Sequence, residues 1–182
     1  MTISSLTDEQ LVSTIRESNK ELYSEIIRRY QNKLVHYLRK FFRDQYELED
    51  VLQEVFIKTY RNLYAFDTEK KFSSWIYRIA HNEAINHIKK NRRSSISLDD
   101  QEWELVDDSM NIKDKIDLNI AKEKIEKALI KIKIKYREAL ILYFFEQKSY
   151  DEISDILQIP KSTVGTLIMR GKNMLKDLLE EK

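Results

Sequence analysis

The sequence has no cysteine, only two glycines and a single proline among its 182 residues. Without cysteine, disulfide bonds and thiolate metal sites are excluded. Glycine and proline are too scarce for the many tight turns of a β fold, and the apolar residues recur at helical spacing along the chain. We therefore predict an all-α protein built from two small helical domains.

Other features are also missing. The amino end has no basic region followed by an apolar run, and the longest uncharged apolar run, Ala139 to Phe145, is far too short to span a bilayer. The histidines, His36, His81 and His87, do not stand at metal-ligand spacing from one another. We expect a cytoplasmic protein without direct membrane insertion, which is not an enzyme and needs no metal or other cofactor.

The net charge of +1 conceals an uneven distribution. Residues 1–93 carry 17 basic and 13 acidic side chains, residues 94–117 carry 2 and 8, and residues 118–182 carry 13 and 10. Two mildly basic regions thus flank an acidic one. Because residues 94–117 sustain neither a helical nor a strand period, we predict domains at 1–93 and 118–182 joined by a flexible acidic linker.

The first domain begins with two predicted helices. Thr7 to Gln10 reads as a capping box that opens a short helix with Leu11, Val12 and Ile15 inward. After a break near Ser18, a longer helix is predicted from Leu22 to about Phe42. The short connection that follows favours an antiparallel neighbour.

That neighbour, from Glu47 to Leu63, has two contrasting faces. The face predicted to be buried consists of Leu48, Val51, Leu52, Val55, Phe56, Thr59, Tyr60 and Leu63. The opposite face is an acidic and polar strip around one exposed isoleucine, with Asp50, Gln53, Glu54, Ile57 and Arg61. An apolar residue within such a strip is typical of a partner-binding surface.

A helix of about twenty residues is predicted after Phe72, with Ser73 and Ser74 as capping candidates. Its core side comprises Phe72, Ile76, Ile79, Ala80, Ala84 and Ile88. A neighbouring stripe carries Trp75, Arg78, Asn82, Asn86, Lys89 and Arg93. An aromatic ring, amides and cations along one edge can stack a base and neutralise phosphates of single-stranded nucleic acid, although a solvated helix face would have the same composition.

These residues resemble region two of bacterial sigma factors, and the spacing points to the extracytoplasmic-function group. The resemblance rests on Asp50-x-x-Gln53-Glu54-Val55-Phe56 and on Phe72-x-x-Trp75-Ile76-Tyr77-Arg78-Ile79-Ala80-x-Asn82. It implies that Asp50, Gln53, Glu54 and Ile57 bind core RNA polymerase. It also implies that the Trp75 stripe and the loop before it, including Phe66 and Lys71, melt the promoter at the minus-ten element and hold one strand. Asn86 stands where the family usually has aspartate.

The second domain is predicted to be helical from Leu118 through Phe144, despite a strand-like alternation over Lys131–Lys135. Ser149 to Glu152 reads as a second capping box, Pro160 ends that helix, and a further helix starts near Lys161 or Ser162. This order is typical of a DNA-binding helix-turn-helix. The outward positions, predicted to contact duplex DNA, are Lys161, Ser162, Thr163, Thr166, Met169, Arg170 and Asn173.

The segment resembles region four of the same family, which implies reading of the minus-thirty-five promoter element. The matching residues are Glu138 to Tyr143, Ser149-Tyr150-Asp151-Glu152-Ile153 and Ile159-Pro160-x-x-Thr163-Val164. Gly165 and Leu167 replace the usual lysine and arginine, and Gln158 and Ser162 replace glycines. The resemblance also implies that the acidic linker passes through the polymerase near the active centre; a disordered spacer is the alternative.

The sequence thus predicts a sigma factor that binds core RNA polymerase and promoter DNA, with an anti-sigma factor as a further partner implied by the resemblance. The alternative is a stand-alone helix-turn-helix regulator whose amino-terminal helices form a sensor or dimer interface. The residues do not identify the target promoters, the inducing signal or the anti-sigma partner.

Overall fold

The computed structural model describes residues 3–42, 44–94, 124–125, 127–129 and 131–180. Within these ranges the regular structure is helical and contains no strand, as predicted. The chain divides into two compact units, the first taking in residues 3–94 and the second most of residues 124–180. Across the described ranges, no helix is long and apolar enough to cross a membrane.

The first unit contains four α-helices: α1 (Asp8–Glu17), α2 (Tyr23–Leu38), α3 (Gln45–Arg61) and α4 (Phe72–Ser94). Short 3-10 turns lie at Ile3–Ser5, Lys20–Leu22 and Leu63–Ala65. From residue 124 onward, the described chain contains helical residues 124–125 and 127–129, then α5 (Ile134–Leu140), a π-helical turn (Ile141–Phe145), α6 (Tyr150–Leu157) and α7 (Lys161–Glu180).

The capping box predicted for α1 is confirmed. The Thr7 hydroxyl accepts the Gln10 N–H at 3.2 Å, and the Gln10 side-chain oxygen accepts the Thr7 N–H at 3.0 Å. Leu11, Val12 and Ile15 are buried, as their spacing predicts. Because this apolar face packs into the unit, α1 is held as part of its core.

α2 ends at Leu38, about four residues before the predicted end. The N–H groups of Lys40 and Phe41 donate to the carbonyls of Tyr37 and Leu38, so the chain turns there. That turn buries Phe41 and Phe42, which leave only 2% and 5% of their surface exposed. Burial of two aromatic rings offsets the shortening of the helix.

The core face predicted for α3 is largely confirmed. Leu48, Val51, Leu52, Val55, Thr59 and Leu63 are buried, whereas Phe56 is half-buried. Tyr60 was wrongly assigned to this face, since 41% of it is exposed and its ring meets Tyr23 edge-on at 4.9 Å. The Asp44 carboxylate caps α3 by accepting the Glu47 N–H at 3.0 Å.

The start of α4 corrects the predicted cap. The helix begins at Phe72, so Ser73 and Ser74 lie within its first turn. The Phe72 N–H donates instead to the Glu9 carboxylate of α1 at 2.9 Å. Phe72, Ile76, Ala80, Ala84 and Ile88 are buried as predicted, and Ile79 is half-buried.

In the second unit, the continuous helix predicted up to Phe144 is wrong. The predicted linker beyond Ser94 and residues 118–123 lie outside the described residues. Further along, the helix is interrupted at Ile132 and Lys133, where the Lys133 backbone is extended with ψ 136°. The interruption allows both Ile132 and Tyr136 to be buried, at 4% and 7% exposure. A regular helix also gives way to the π turn at Ile141–Phe145.

The predicted helix-turn-helix is present. Ser149 and Glu152 form the expected capping box. The Ser149 hydroxyl accepts the Glu152 N–H at 3.3 Å, and the Glu152 carboxylate accepts the Ser149 N–H at 2.9 Å. α6 ends because Gln158 adopts the left-handed conformation with φ 55°, rather than because of the proline. The Pro160 carbonyl instead accepts the N–H groups of Thr163 and Val164 at the start of α7.

α7 packs against α5 through a glycine that the apolar pattern does not identify. Gly171 is buried, and a Cβ placed there would lie 3.0 Å from the Cγ and Cδ1 atoms of Leu140. Val164 and Ile168 are buried beside it, as predicted, while Leu167 and Leu175 are half-buried. Close approach of the two helices therefore depends on the missing side chain at position 171.

Candidate nucleic-acid and polymerase interfaces

The acidic and polar strip lies on the solvent side of α3. Asp50 and Gln53 are exposed, and the Glu54 side chain is 45% exposed with its carboxylate 3.7 Å from Lys58 Nζ. Ile57 is half-buried rather than fully exposed as expected. The strip therefore has a partly accessible apolar residue at its centre.

Tyr46 extends this strip and was missed in the sequence. It is 78% exposed, the largest exposure among the big apolar side chains of the described residues. Tyr46, Asp50 and Gln53 are four and three residues apart, so they occupy one face of α3. Helical spacing alone could have placed Tyr46 on this face, and aromatic residues are enriched at protein interfaces.

The surface around Trp75 is built from three aromatic rings. The half-buried Trp75 ring lies 5.1 Å from the Phe66 ring and 5.6 Å from the Phe72 ring, measured between centroids. Phe66 is only 3% exposed and also packs edge-on against Phe72 at 5.3 Å. Phe66, predicted to contact single-stranded DNA, thus has little accessible surface of its own, and its ring packs against Trp75.

Charged and polar residues continue from Trp75 along α4. Lys71, Asn82, Asn86 and Lys89 are exposed, Arg78 is half-buried, and Arg93 lies in the last turns of the helix. The six predicted α4 residues thus share one helix, with Lys71 directly before it. Along roughly 30 Å of such a helix edge, the tryptophan ring can stack on a base, the asparagine amides can hydrogen-bond to bases, and the cations can neutralise phosphates.

Ser74 lies in this surface beside Trp75 and was expected only as a cap. It is 3% exposed, and its hydroxyl has no hydrogen-bond partner within the described part of the chain. A buried hydroxyl without a partner is unusual, because leaving it unsatisfied costs about 1–3 kcal/mol. Ser74 and Arg78 are one turn apart, which is the sequence signal that could have placed both on one face.

A half-buried histidine, His81, lies on the side of α4 that faces α2. His81 Nδ1 is 3.2 Å from the Tyr37 hydroxyl, and the Phe41 ring packs near it. Partial burial of the ring and, to a lesser degree, the nearby charge of Lys89 together lower the pKa of His81 to about 4. The ring is therefore neutral at physiological pH and contributes no positive charge to the stripe around Trp75.

In α7 the predicted duplex-reading positions are mostly exposed. Ser162, Thr163, Met169 and Asn173 are open to solvent, and Thr166 is half-buried with its hydroxyl donating to the Ser162 carbonyl at 3.0 Å. Their side chains fall on one side of the helix across about three turns. This side matches the part of a recognition helix that enters a major groove.

Both predicted cations of this surface also have partners within the second unit. Lys161 Nζ lies 2.8 Å from the Asp151 carboxylate of α6. Arg170 is exposed, and its hydrogen bond to Tyr136 lowers the pKa of that phenol. Lys161 and Arg170 remain exposed to solvent despite these contacts.

Comparisons with known proteins match both units. The model of the family described as Sigma-70 region 2 matches residues 26–94, and that of Sigma-70, region 4 matches residues 122–175. The chain is similar to the ECF RNA polymerase sigma factor SigW of Bacillus subtilis, with 29% identity over 93% of this chain and 95% of the relative. It is 31% identical to the RNA polymerase sigma-H factor of Pseudomonas aeruginosa, over 95% of this chain and 94% of the relative.

A solved structure shares the fold. It is the sigma factor RpoE in complex with the anti-sigma factor NepR from Bartonella quintana, with a TM-score of 0.66 and 18% identity. The match covers 88% of this chain and 98% of the RpoE chain. At this level of identity the likeness establishes the all-helical fold.

Proposed function

Since this chain belongs to the sigma-70 family of RNA polymerase sigma factors, in the extracytoplasmic-function group, we propose that it binds core RNA polymerase and directs it to promoters. One observation carries the proposal: the two family matches fall separately on the Trp75 surface and on the helix-turn-helix. The region 2 match also covers the helices that a stand-alone regulator would use as a sensor. We therefore favour the sigma factor over that alternative.

We assign core-polymerase binding to Asp50, Gln53, Glu54 and Ile57. Asp50 and Gln53 are exposed around a half-buried Ile57, so a partner can bury the isoleucine while its basic residues meet the carboxylates. Lys58, which holds Glu83 of α4 at 2.7 Å, links this strip to the DNA-facing helix. This ion pair adds one contact between α3 and α4.

We assign single-stranded DNA binding to the α4 stripe and the preceding loop. Trp75 supplies the stacking face, and Phe66 supports it. Lys71, Arg78, Asn82, Asn86, Lys89 and Arg93 supply donors and positive charge. Stacking is worth about 1–3 kcal/mol per base and tolerates any base, so the amides and the loop would provide selectivity at the minus-ten element. Asn86 can both donate and accept a hydrogen bond, unlike the aspartate usual in the family.

We assign duplex reading at the minus-thirty-five element to α7, through Lys161, Ser162, Thr163, Thr166, Met169, Arg170 and Asn173. Gly165 and Leu167 contribute no charge where the family usually has cations. The salt dependence of DNA binding grows with the number of phosphates that a protein neutralises, so we expect α7 to bind with a shallower salt slope than a more basic reading helix. Specificity would then come mainly from Arg170 and the small polar side chains.

The functional division follows the sequence boundaries: residues 1–93 bind polymerase and melt DNA, 94–117 link, and 118–182 read duplex. We infer that the chain is not itself an enzyme and acts in the cytoplasm, where polymerase performs the chemistry. Because RpoE of the shared fold was solved with an anti-sigma factor, we further propose such a protein as a regulatory partner.

Reconstitution with core RNA polymerase tests this function. The purified chain should co-elute with core enzyme and enable start-specific transcription from a genomic fragment library, with start sites read by sequencing. Transcripts should share two upstream sequence elements. Core enzyme alone, and core enzyme with the chain lacking residues 118–182, provide the controls. Tight duplex binding by the chain alone, without any stimulation of initiation, would instead support the stand-alone regulator.

A further inference from the structure

α1 contacts the loop of residues 63–71, which leads to the Trp75 surface. Arg16, in the last turn of α1, donates from Nε to the Leu63 carbonyl at 3.0 Å, and from Nη2 to the carbonyls of Leu63 and Phe66. Its guanidinium carbon also lies 6.0 Å from the Phe66 ring centroid. In return, the Tyr64 hydroxyl donates to the Arg16 carbonyl at 3.1 Å.

The other end of this loop is held by Glu9, in the first turn of the same helix. Its carboxylate accepts the Phe72 N–H at 2.9 Å. That N–H is one of the donors at a helix start that have no partner within their own helix, and a negative charge is favourable there. Glu9 and Arg16 are seven residues apart, so they lie on one face of α1 roughly 10 Å from each other.

The middle of the loop is shaped by its own turn. Asp67 accepts the Glu69 N–H through its carboxylate at 3.1 Å and the Lys70 N–H through its carbonyl at 3.0 Å. α1 itself is fixed by its capping box and by the full burial of Leu11 and Val12. Arg16 and Glu9 of α1 therefore bond the two ends of this short loop. The loop ends at Phe72, whose ring packs against Trp75.

We propose that Glu9 and Arg16 are positioning residues that set the shape of the 63–71 loop and thereby the base preference of the single-strand site. The proposal rests on the assignment of single-stranded DNA binding to this surface. Neither residue needs to touch DNA: each acts through backbone atoms of the loop or of Phe72. Both lie outside residues 26–94 that the region 2 family model matches.

Holoenzyme reconstituted with core RNA polymerase is mixed with a random library of short single-stranded oligonucleotides, and the bound molecules are sequenced. The readout is the enrichment of one base over the others at the most selective position. Glu9→Ala and Arg16→Ala should each reduce that preference about tenfold, the effect of removing a charge-assisted hydrogen bond. Affinity for core enzyme should change less than about twofold, because the α3 strip is untouched.

Two matched variants separate positioning from general destabilisation. Glu9→Gln keeps an oxygen that can accept the Phe72 N–H and should keep the base preference. Thr7→Ala removes the cap of α1 without touching the loop and should also keep it. If Arg16→Ala does not fold by circular dichroism, the Glu9→Ala and Glu9→Gln pair decides the question.

The inference is overturned if Glu9→Ala retains the wild-type preference, or if Thr7→Ala loses as much preference as Glu9→Ala does. A wild-type holoenzyme that binds core enzyme but selects no base rejects the proposed single-strand site, and the inference with it. Loss of preference in Glu9→Ala together with retention in Glu9→Gln and Thr7→Ala supports the positioning role.

Discussion

The two glycines of α7 should respond in opposite ways to substitution by alanine. Alanine is favoured over glycine inside a helix by about 1 kcal/mol. At Gly165 the added Cβ would lie 3.5 Å from Tyr150 Cε2, an ordinary contact, so Gly165→Ala should stabilise the second unit by about 1 kcal/mol. At Gly171 the Cβ would lie 3.0 Å from two atoms of the buried Leu140, and overpacking costs about 1–3 kcal/mol. Gly171→Ala should therefore give a net loss of about 1 kcal/mol.

Hydrogen exchange of the full chain, followed by peptide-resolved mass spectrometry, measures this without interference from the first unit. Protection of the α5 and α7 amides should rise about fivefold in Gly165→Ala and fall about fivefold in Gly171→Ala, while α2 to α4 stay unchanged. Equal stabilisation by both substitutions would refute the close packing of α5 on α7. Destabilisation by Gly165→Ala would refute the expectation that the added Cβ makes only an ordinary contact with Tyr150.

Three further predictions concern the surfaces and the half-buried His81. Trp75→Ala should weaken holoenzyme binding to a single-stranded oligonucleotide by about 1–3 kcal/mol, measured by fluorescence anisotropy, whereas Trp75→Phe should retain most affinity; equal affinity in all three proteins would exclude stacking. Ile57→Asp should cost about 2 kcal/mol of core-polymerase affinity, with the exposed Asn32→Asp as the charge control; similar losses in both would argue against a specific strip. Because the folded His81 pKa lies below its unfolded value, unfolded chains bind more protons, and the free energy of unfolding should fall between about pH 6.5 and 4, by at most about 3 kcal/mol. His81→Gln should lack that part of the fall in urea titrations, and an unchanged pH profile would contradict the burial of a neutral ring.

Most of the local structure could be predicted from the sequence, because helix caps and turns depend on residues that are close together in the chain. Both capping boxes lie within four residues, so Thr7 and Ser149 could be identified without tertiary information. The turn between α6 and α7 was also located, although its geometry depends on Gln158 in a left-handed conformation where glycine is expected. Periodicity alone could not reveal that choice.

The features that the sequence did not predict depend on distant partners. Ser73 and Ser74 looked like caps for α4, but Glu9, more than sixty residues earlier, supplies the cap. Phe66 was identified only as a loop residue expected to contact DNA, and its burial against Phe72 and Trp75 could not be read from its position in the sequence. The same limit applies to Gly171, whose role depends on where Leu140 lies.

The π-helical turn at Ile141–Phe145 has a consequence for chain length. Its Glu146 N–H donates to the Ile141 carbonyl at 3.1 Å, five residues back, so this turn contains one residue more than an α turn. Deleting the 44% exposed Phe144 would let the backbone close an α turn and still deliver Ser149 to the start of α6. Deletion of one residue should therefore be tolerated better in this π-helical turn than in the short connection between α6 and α7.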